Sequence, residues 1–134
     1  MKFPVKIYKE GKWWMAEVPD IEAVTQGHTH KEARSMALDL LLIHLQERWH
    51  RQDIEPSPIA DGEWIEVPLR TETALRIRRE RKRAGLSIKE AAEKIGVSHG
   101  TYARWEHSQA CNATLSTLER VAEAFGKSVE LSFR

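Results

Sequence analysis

Two glycines, Gly85 and Gly96, constrain this chain more than any other feature, because the residues around them spell two short helices and the turn between them. Ser87 suits an N-cap, and Ile88, Ala91, Ala92 and Ile95 recur at helical spacing as one apolar face. Gly96 suits the left-handed residue that ends such a helix. Ser98 then caps a second helix in which Tyr102 and Trp105 lie three apart and face inward, while His99, Gly100 and Arg104 face outward. Two helices about a tight glycine turn predict a helix-turn-helix, a motif whose second helix docks in the major groove of DNA.

From about Arg76 to Gly126 the chain resembles the phage-repressor (Cro/cI-like) class. The run 76–81 is similar to that class's first helix and the run 115–126 to its last, where Leu115, Leu118, Ala122 and Phe125 form an apolar stripe behind an N-cap at Thr114. An all-α domain of five helices is therefore expected over 69–134. The resemblance also implies a structural ion pair, Arg81 with Glu106, tying the first helix to the end of the recognition helix. Ile88 stands where that class often has a DNA-contacting glutamine, and Glu80 where it often has an apolar residue. His99, Gly100 and Arg104 are expected near base edges, with Arg104 suited to the N7 and O6 of guanine. Ser98, Thr101, Lys89, Asn112 and Thr114 are expected on phosphate or sugar, where they set register without reading sequence. The remaining arginines of the first helix read as a solvated face. The alternating run 128–133 reads as an edge strand able to pair with its copy in a homodimer.

A formal net charge of +1 hides a division near Pro68. Residues 1–68 carry eight Lys and Arg against twelve carboxylates, a net −4, and residues 69–134 carry thirteen against eight, a net +5. One part suits phosphate, and the other suits a basic partner. With 134 residues of which 41% are hydrophobic, the chain supports two small cores. It shows no run of about 18 apolar residues and no charged-then-apolar leader, so a cytoplasmic location is expected. Cys111 is the single cysteine, which leaves no intrachain disulfide and no thiolate zinc site. His28 and His30 lack a third ligand at helical spacing, so no metal or cofactor is expected.

Residues 1–68 follow a different periodicity. The runs 3–9 and 13–18 alternate on either side of Glu10 and Gly11, which predicts a β-hairpin. A third extended piece, 23–27, runs into Thr29 and Glu32, whose spacing of three makes a capping box, so a helix begins near His30. Its apolar residues spread widely around the circumference, which suits a helix packed between a sheet and the connecting segment or one that also forms an interface. A loop over 52–62 and a fourth strand over 63–68 complete the order β-β-β-α-β.

That order, together with Val18-Pro19-Asp20-Ile21, Thr25-Gln26-Gly27 and the Thr-capped helix containing Glu32-Ala33, resembles the HicB-type antitoxin domain over about residues 2–68. The resemblance implies a partial RNase H-like α+β fold, and some members carry a repressor-type helix-turn-helix behind it. It further implies that 1–68 binds and neutralises a HicA-type mRNA-cleaving toxin while 69–134 represses the operon. One small domain makes few phosphate contacts, so a homodimer on a two-fold operator is expected, and the sequence leaves open whether two dimers pair into a dimer of dimers. Tyr8, Trp13, Trp14 and Trp64 are the candidate toxin-facing residues, since interfaces favour large aromatics. Catalysis is not expected: the first strand supplies no carboxylate before Glu10, and Glu17, Asp20, Glu32 and Asp39 fit a solvated surface. The competing reading is a stand-alone repressor whose first domain senses a small ligand.

Overall fold

The computed structural model describes residues 1–48, 54–59 and 61–133. They divide into two compact units, Met1–Leu69 and Arg70–Arg134.

The first unit is a four-stranded antiparallel sheet and one helix. Strands β1 (Lys2–Glu10), β2 (Trp13–Val18), β3 (Ala23–Gly27) and β4 (Glu63–Glu66) lie in the order β3-β2-β1-β4, and helix α1 (His30–Arg48) enters between β3 and β4. This is the β-β-β-α-β order expected from the sequence. The hairpin turns at Gly11, whose positive φ of 61° suits a residue without a side chain. A single 3-10 turn over Pro19–Ile21, absent from the sequence reading, ends on Glu22 in the left-handed region at φ 52°. It reverses the chain between β2 and β3.

Strand alternation then divides the side chains. Ile7 lies opposite Ala16, and Ala16 opposite Thr25, so Phe3, Val5, Ile7, Ala16 and Val18 share the face that α1 covers. On the helix, Ala33, Ala37, Leu41 and Leu45 recur every fourth residue and are wholly buried. Thr29 caps α1, its hydroxyl accepting the Glu32 N–H at 3.0 Å. Gly27 is what lets β3 meet the first turn so closely: a Cβ there would sit 2.6 Å from the Ala33 nitrogen. Within the expected loop, Gln52, Asp53 and Ala60 lie outside the described residues. Of the remainder, Ile54 is buried and Ser57 is fastened to Asp20 by its N–H and its hydroxyl.

The second unit has four helices among the described residues, one fewer than the five expected: α2 (Leu69–Arg83), α3 (Ile88–Ile95), α4 (His99–Trp105) and α5 (Leu115–Ala124). The stretch between α4 and α5 forms turns and extended chain instead of a further helix, because Glu106 is fastened to α2 and Cys111 is drawn into the core. That core is Ala74, Ile77, Ala91, Ala92, Tyr102, Trp105, Cys111 and Val121, with Leu86, Ile88, Ile95, Val97, Ala113, Leu118 and Phe125 packed around it. The expected α5 stripe needs one correction. Leu115 is 67% exposed, and Val121 is the buried residue of that helix, since the inward face starts only once the Thr114 cap has turned the chain. Residues 128–133 form no strand within this chain.

Candidate nucleic-acid interface and partner surface

The helix-turn-helix is built from α3, α4 and the three residues joining them. Ser87 and Glu90 form a reciprocal capping box at the start of α3, in which the serine hydroxyl accepts the Glu90 N–H at 3.0 Å and the Glu90 carboxylate accepts the Ser87 N–H at 3.1 Å. Those bonds hold the Glu90 carboxyl below its ordinary range, the backbone donor contributing most. Gly96 takes φ 85° and gives its N–H to the carbonyls of Ala92 and Glu93, and the Val97 N–H reaches back to Ala92 at 3.0 Å. The α3 axis therefore stops within one residue of its last turn. Ser98 starts α4 by accepting the Thr101 N–H at 3.2 Å.

The two faces of α4 differ completely. Tyr102 is wholly buried and Trp105 nearly so, their ring centroids 5.9 Å apart in an edge-to-face arrangement. His99, Gly100, Thr101 and Arg104 are exposed on the other face, with Ser98 beside them. Gly100 meets no atom within 4 Å of where a Cβ would stand, so packing does not require a glycine there. Lys89 on α3, and Asn112 and Thr114 ahead of α5, are also exposed, although the Thr114 hydroxyl already accepts the Thr117 N–H at 3.1 Å. Arg104 is the one cation on the outer face of α4.

What aims that face is a buried ionic network. Glu106 follows α4 directly and is 2% exposed. Its carboxylate takes a forked contact from Arg81 of α2, Nε to Oε2 at 2.8 Å and Nη2 to Oε1 at 3.0 Å, while Arg81 Nη1 also donates to the Leu86 carbonyl at 2.9 Å. Arg78, one turn earlier, donates from Nη2 to the Glu106 carbonyl at 3.2 Å and brings its Nε to 3.6 Å from Oε1. Burial pulls the Arg81 guanidinium toward losing its proton, but the hydrogen bonds and charge of Glu106 outweigh it and leave the group more basic than usual. Burial has the upper hand at Arg78, which is shifted down. Burial, and then the charge of Glu106, push the Tyr102 phenol far above its ordinary range, so it stays neutral.

This corrects the reading of the first helix as a solvated face: Arg78 and Arg79 are buried and Arg81 is partly so. The signal was present in the sequence, because Arg78 and Arg81 are three apart on one helical face and Glu106 sits beside two inward aromatics.

In the sheet unit, β-alternation separates the four candidate aromatics. Tyr8 lies opposite Met15, Pro4 opposite Trp64 and Glu10 opposite Trp13, which places Tyr8, Trp13 and Trp64 on the face turned away from α1, together with Met15 and Val24. Tyr8 and Trp64 are about two-fifths exposed. Trp14 is on the other face, its ring edge-on to His30 at 5.4 Å, and His30 in turn bonds Glu63 at 2.8 Å. The open face carries charge of both signs: the Tyr8 hydroxyl donates to Glu17 at 3.1 Å, a bond that raises the phenol's pKa, and Lys6 lies across from Glu17. Lys2 and Lys12 sit over the rings of Trp64 and Trp13, and Trp13 also stacks at a tilt on His28. Of the four carboxylates weighed for catalysis, Glu17 is bonded by Tyr8 and Asp20 by Ser57. Among the described residues no three His, Cys, Asp or Glu converge to hold a metal ion, and no helix is long and apolar enough to cross a membrane.

Comparison with known proteins covers both units. A helix-turn-helix family model matches residues 77–131. Two curated proteins of Photorhabdus laumondii subsp. laumondii are similar over nearly the whole chain. Antitoxin HicB 1 is 30% identical over 139 residues, covering 98% of this chain and 86% of that protein; Antitoxin HicB 2 is 29% identical over 133 residues, covering 98% and 95%.

Proposed function

The chain belongs to the HicB antitoxin family, and on that premise we propose that it neutralises a HicA-type mRNA-cleaving toxin through its sheet unit and represses the operon encoding both through its helical unit. The observation that carries this reading is the extent of the likeness: it spans 98% of the chain and so includes the sheet unit as well as the helix-turn-helix. The charge division supports it, since a toxin that binds RNA is basic and is steered toward a unit whose residues 1–68 sum to −4. Its docking face is the sheet surface bearing Tyr8, Trp13 and Trp64, where rigid aromatics stand clear of the core. Trp14, committed to the α1 side, stabilises the fold and makes no toxin contact. The chain acts in the cytoplasm, as a regulator without catalytic activity or cofactor.

At the operator, α4 lies in the major groove with Arg104 forked to a guanine and His99 reading beside it. Gly100 leaves the helix low enough for its backbone to approach the base edges. Ser98, Thr101, Lys89, Asn112 and Thr114 touch phosphate and sugar. A single unit of this size reaches few base pairs, so two copies on a two-fold operator supply the affinity, with half-sites about one helical turn apart.

Co-expression with the small open reading frame beside its gene tests this. Stable co-purification, with growth rescue lost on removing residues 1–68, supports the antitoxin role; a neighbour that is harmless alone leaves a repressor with a ligand-sensing first unit. On operator DNA, Arg104→Ala is expected to cost about 1–3 kcal/mol and relax the preference at one base pair, whereas Lys89→Ala weakens all sequences alike.

A further inference from the structure

The sheet of the first unit ends in two different edges. Among the described residues β3 pairs with β2 alone, and its run Ala23–Gly27 contains no charged residue and no proline. The other edge strand, β4, carries Glu63 and Glu66, and Pro68 follows it. Charge and proline are the usual guards against a further strand, so β4 is closed to one and β3 is open. The surroundings of the open edge are apolar. Of the large apolar side chains that the described sheet and α1 leave exposed, Tyr8 and Trp64 stand on the open sheet face, while Val24, Met36 and Ile43, at 54%, 42% and 54%, gather about β3. Val24 lies on the open face, across from Glu17. Met36 and Ile43 lie on the flank of α1 nearest β3. The helix packs chiefly on β3 and β2, and its His30 and Arg34 are turned to Glu63 of β4. At about 100° per residue, Ile43 then stands opposite Arg34, with Met36 beside it and the half-buried Leu40 completing the flank. The charges bordering this flank are Glu32, Asp39 and Glu47, all exposed. The two cations among the described side chains of α1, Lys31 and Arg34, fall on its other sides.

We propose that the toxin adds an extended segment to β3. Its backbone completes the open ladder, its inward side chains are apolar and seat on Met36, Leu40 and Ile43, and its basic body is held by Glu32, Asp39 and Glu47. Resting on the antitoxin reading above, this names the mode of docking. A strand added about 4.8 Å beyond β3 sets its outward side chains beside Val24 and Gln26, so it extends the aromatic face proposed for the same partner. The added backbone supplies affinity that depends little on side chains, and the alternate side chains, read on one face by aromatics and on the other by the α1 flank, supply the choice of partner. Charge selects this occupant over a second copy. Two copies joined β3 to β3 would bring the three carboxylates of each α1 flank against the same three of the other, whereas a protein that binds RNA brings the opposite sign.

Hydrogen exchange of the full chain, free and co-purified with the product of the small open reading frame beside its gene, tests this. The β3 amides that point away from β2 are expected to exchange fast in the free chain and to be protected in the complex. I43E adds a carboxylate, so charge steering alone would tighten the complex. Loss of the apolar seat is instead expected to raise its dissociation rate on the order of tenfold. S35E places the same charge off that flank and should leave the rate unchanged. Both positions are exposed, so both variants should keep the native circular dichroism and unfolding temperature. A complex in which β3 stays unprotected and I43E dissociates no faster than the native chain overturns the proposal and leaves the aromatic face as the whole interface. Protection of β3 with an unchanged I43E rate keeps the added strand and overturns the seat on α1. Protection already present in the free chain overturns the toxin as occupant: a lower mass for I43E on light scattering then identifies a second copy, and an unchanged mass the chain's own residues. Failure of the native chain to capture the product counts against the antitoxin reading itself and removes this proposal with it.

Discussion

The two units solve the problem of holding a small fold together in opposite ways. Among the described residues of the sheet unit the buried side chains are apolar, Phe3, Ala16, Val18, Ala33, Ala37 and Leu41 among them, and Tyr8 and Trp64 stand exposed. The helical unit buries charge: Arg78, Arg79 and Glu106 are all under a tenth exposed, inside a unit whose helices after the first are only eight, seven and ten residues long. Helices that short are marginal alone. The contrast teaches what each unit is organised to present. A sheet backed by a dry layer leaves its other face free to vary, whereas a short reading helix needs its trailing end fixed in direction, and a forked Arg–carboxylate contact fixes direction where apolar packing alone does not.

The largest effect expected from this difference comes from breaking the network. Glu106→Ala leaves the buried Arg78 and the part-buried Arg81 without their carboxylate and is expected to destabilise the helical unit by about 3–5 kcal/mol. Residue-resolved hydrogen exchange should show that loss in α2 to α5, with the sheet unit unchanged. Equal loss in both units would show that they do not differ in the way their cores imply. Replacing all three of Arg78, Arg81 and Glu106 by apolar residues of similar volume should recover much of the stability, because it removes the charges as well as the bonds. Operator affinity should not return with it if the network's role is to aim α4.

Much of this was legible beforehand, for physical reasons that also mark where legibility ends. Periodicity of two located the hairpin, β3 and β4, and periodicity near 3.6 with Ser87, Gly96, Ser98 and Thr114 at the right offsets located α3, α4 and α5. Arg78 escaped because an arginine-rich run is nearly always solvated, and only a partner 28 residues away reverses that. Trp13 and Trp14 are adjacent in one strand, so alternation alone sends them to opposite faces, and that much is written in the sequence. The 3-10 turn at Pro19–Ile21 and the outward Leu115 depend on where the neighbouring elements sit, which no local pattern contains. For the interface itself, which residues stand exposed on α4 was readable, while the base each one meets is a property of the complex.

A single added methyl group tests the sheet unit at its tightest point. Gly27→Ala places a Cβ 2.6 Å from the Ala33 nitrogen and 3.0 Å from the Glu32 carbonyl carbon, backbone atoms that cannot swing aside as a flexible side chain would. The strand end and the first turn of α1 must separate, at an expected cost of about 1–3 kcal/mol confined to this unit. Gly100→Ala in α4 meets no atom and should leave stability the same or slightly raised. Thermal unfolding of the two variants side by side checks both, and a stable Gly27→Ala protein would place the close approach elsewhere.

Caps should matter more where helices are short. Ser98→Ala removes the bond that starts the seven-residue α4 and is expected to cost about 1 kcal/mol. Thr29→Ala removes the equivalent bond from the 19-residue α1, whose Ala33, Ala37, Leu41 and Leu45 are wholly buried on the sheet, and should cost no more than a few tenths of that. Similar losses would mean that a cap contributes the same whatever the length and packing of the helix it starts.

The smallest effect is one of pH at the start of α3. The Glu90 carboxyl is held below its ordinary range, first by the Ser87 N–H and then by the Ser87 hydroxyl, so the charged form is the one the folded state favours. A depressed carboxyl contributes stability above its unfolded pKa and loses it as pH falls through the folded value, so the first turn of α3 should loosen only in acid. The Ser87 amide resonance, followed as pH is lowered, is expected to move with the Glu90 titration while the first-turn amides of α4, whose cap is the neutral Ser98, hold still. Glu90→Gln keeps an acceptor for the Ser87 N–H but has no proton to gain, so the movement should vanish. If it persists in that variant, the acid sensitivity arises from another group, and the capping box holds the turn equally well with the carboxyl protonated.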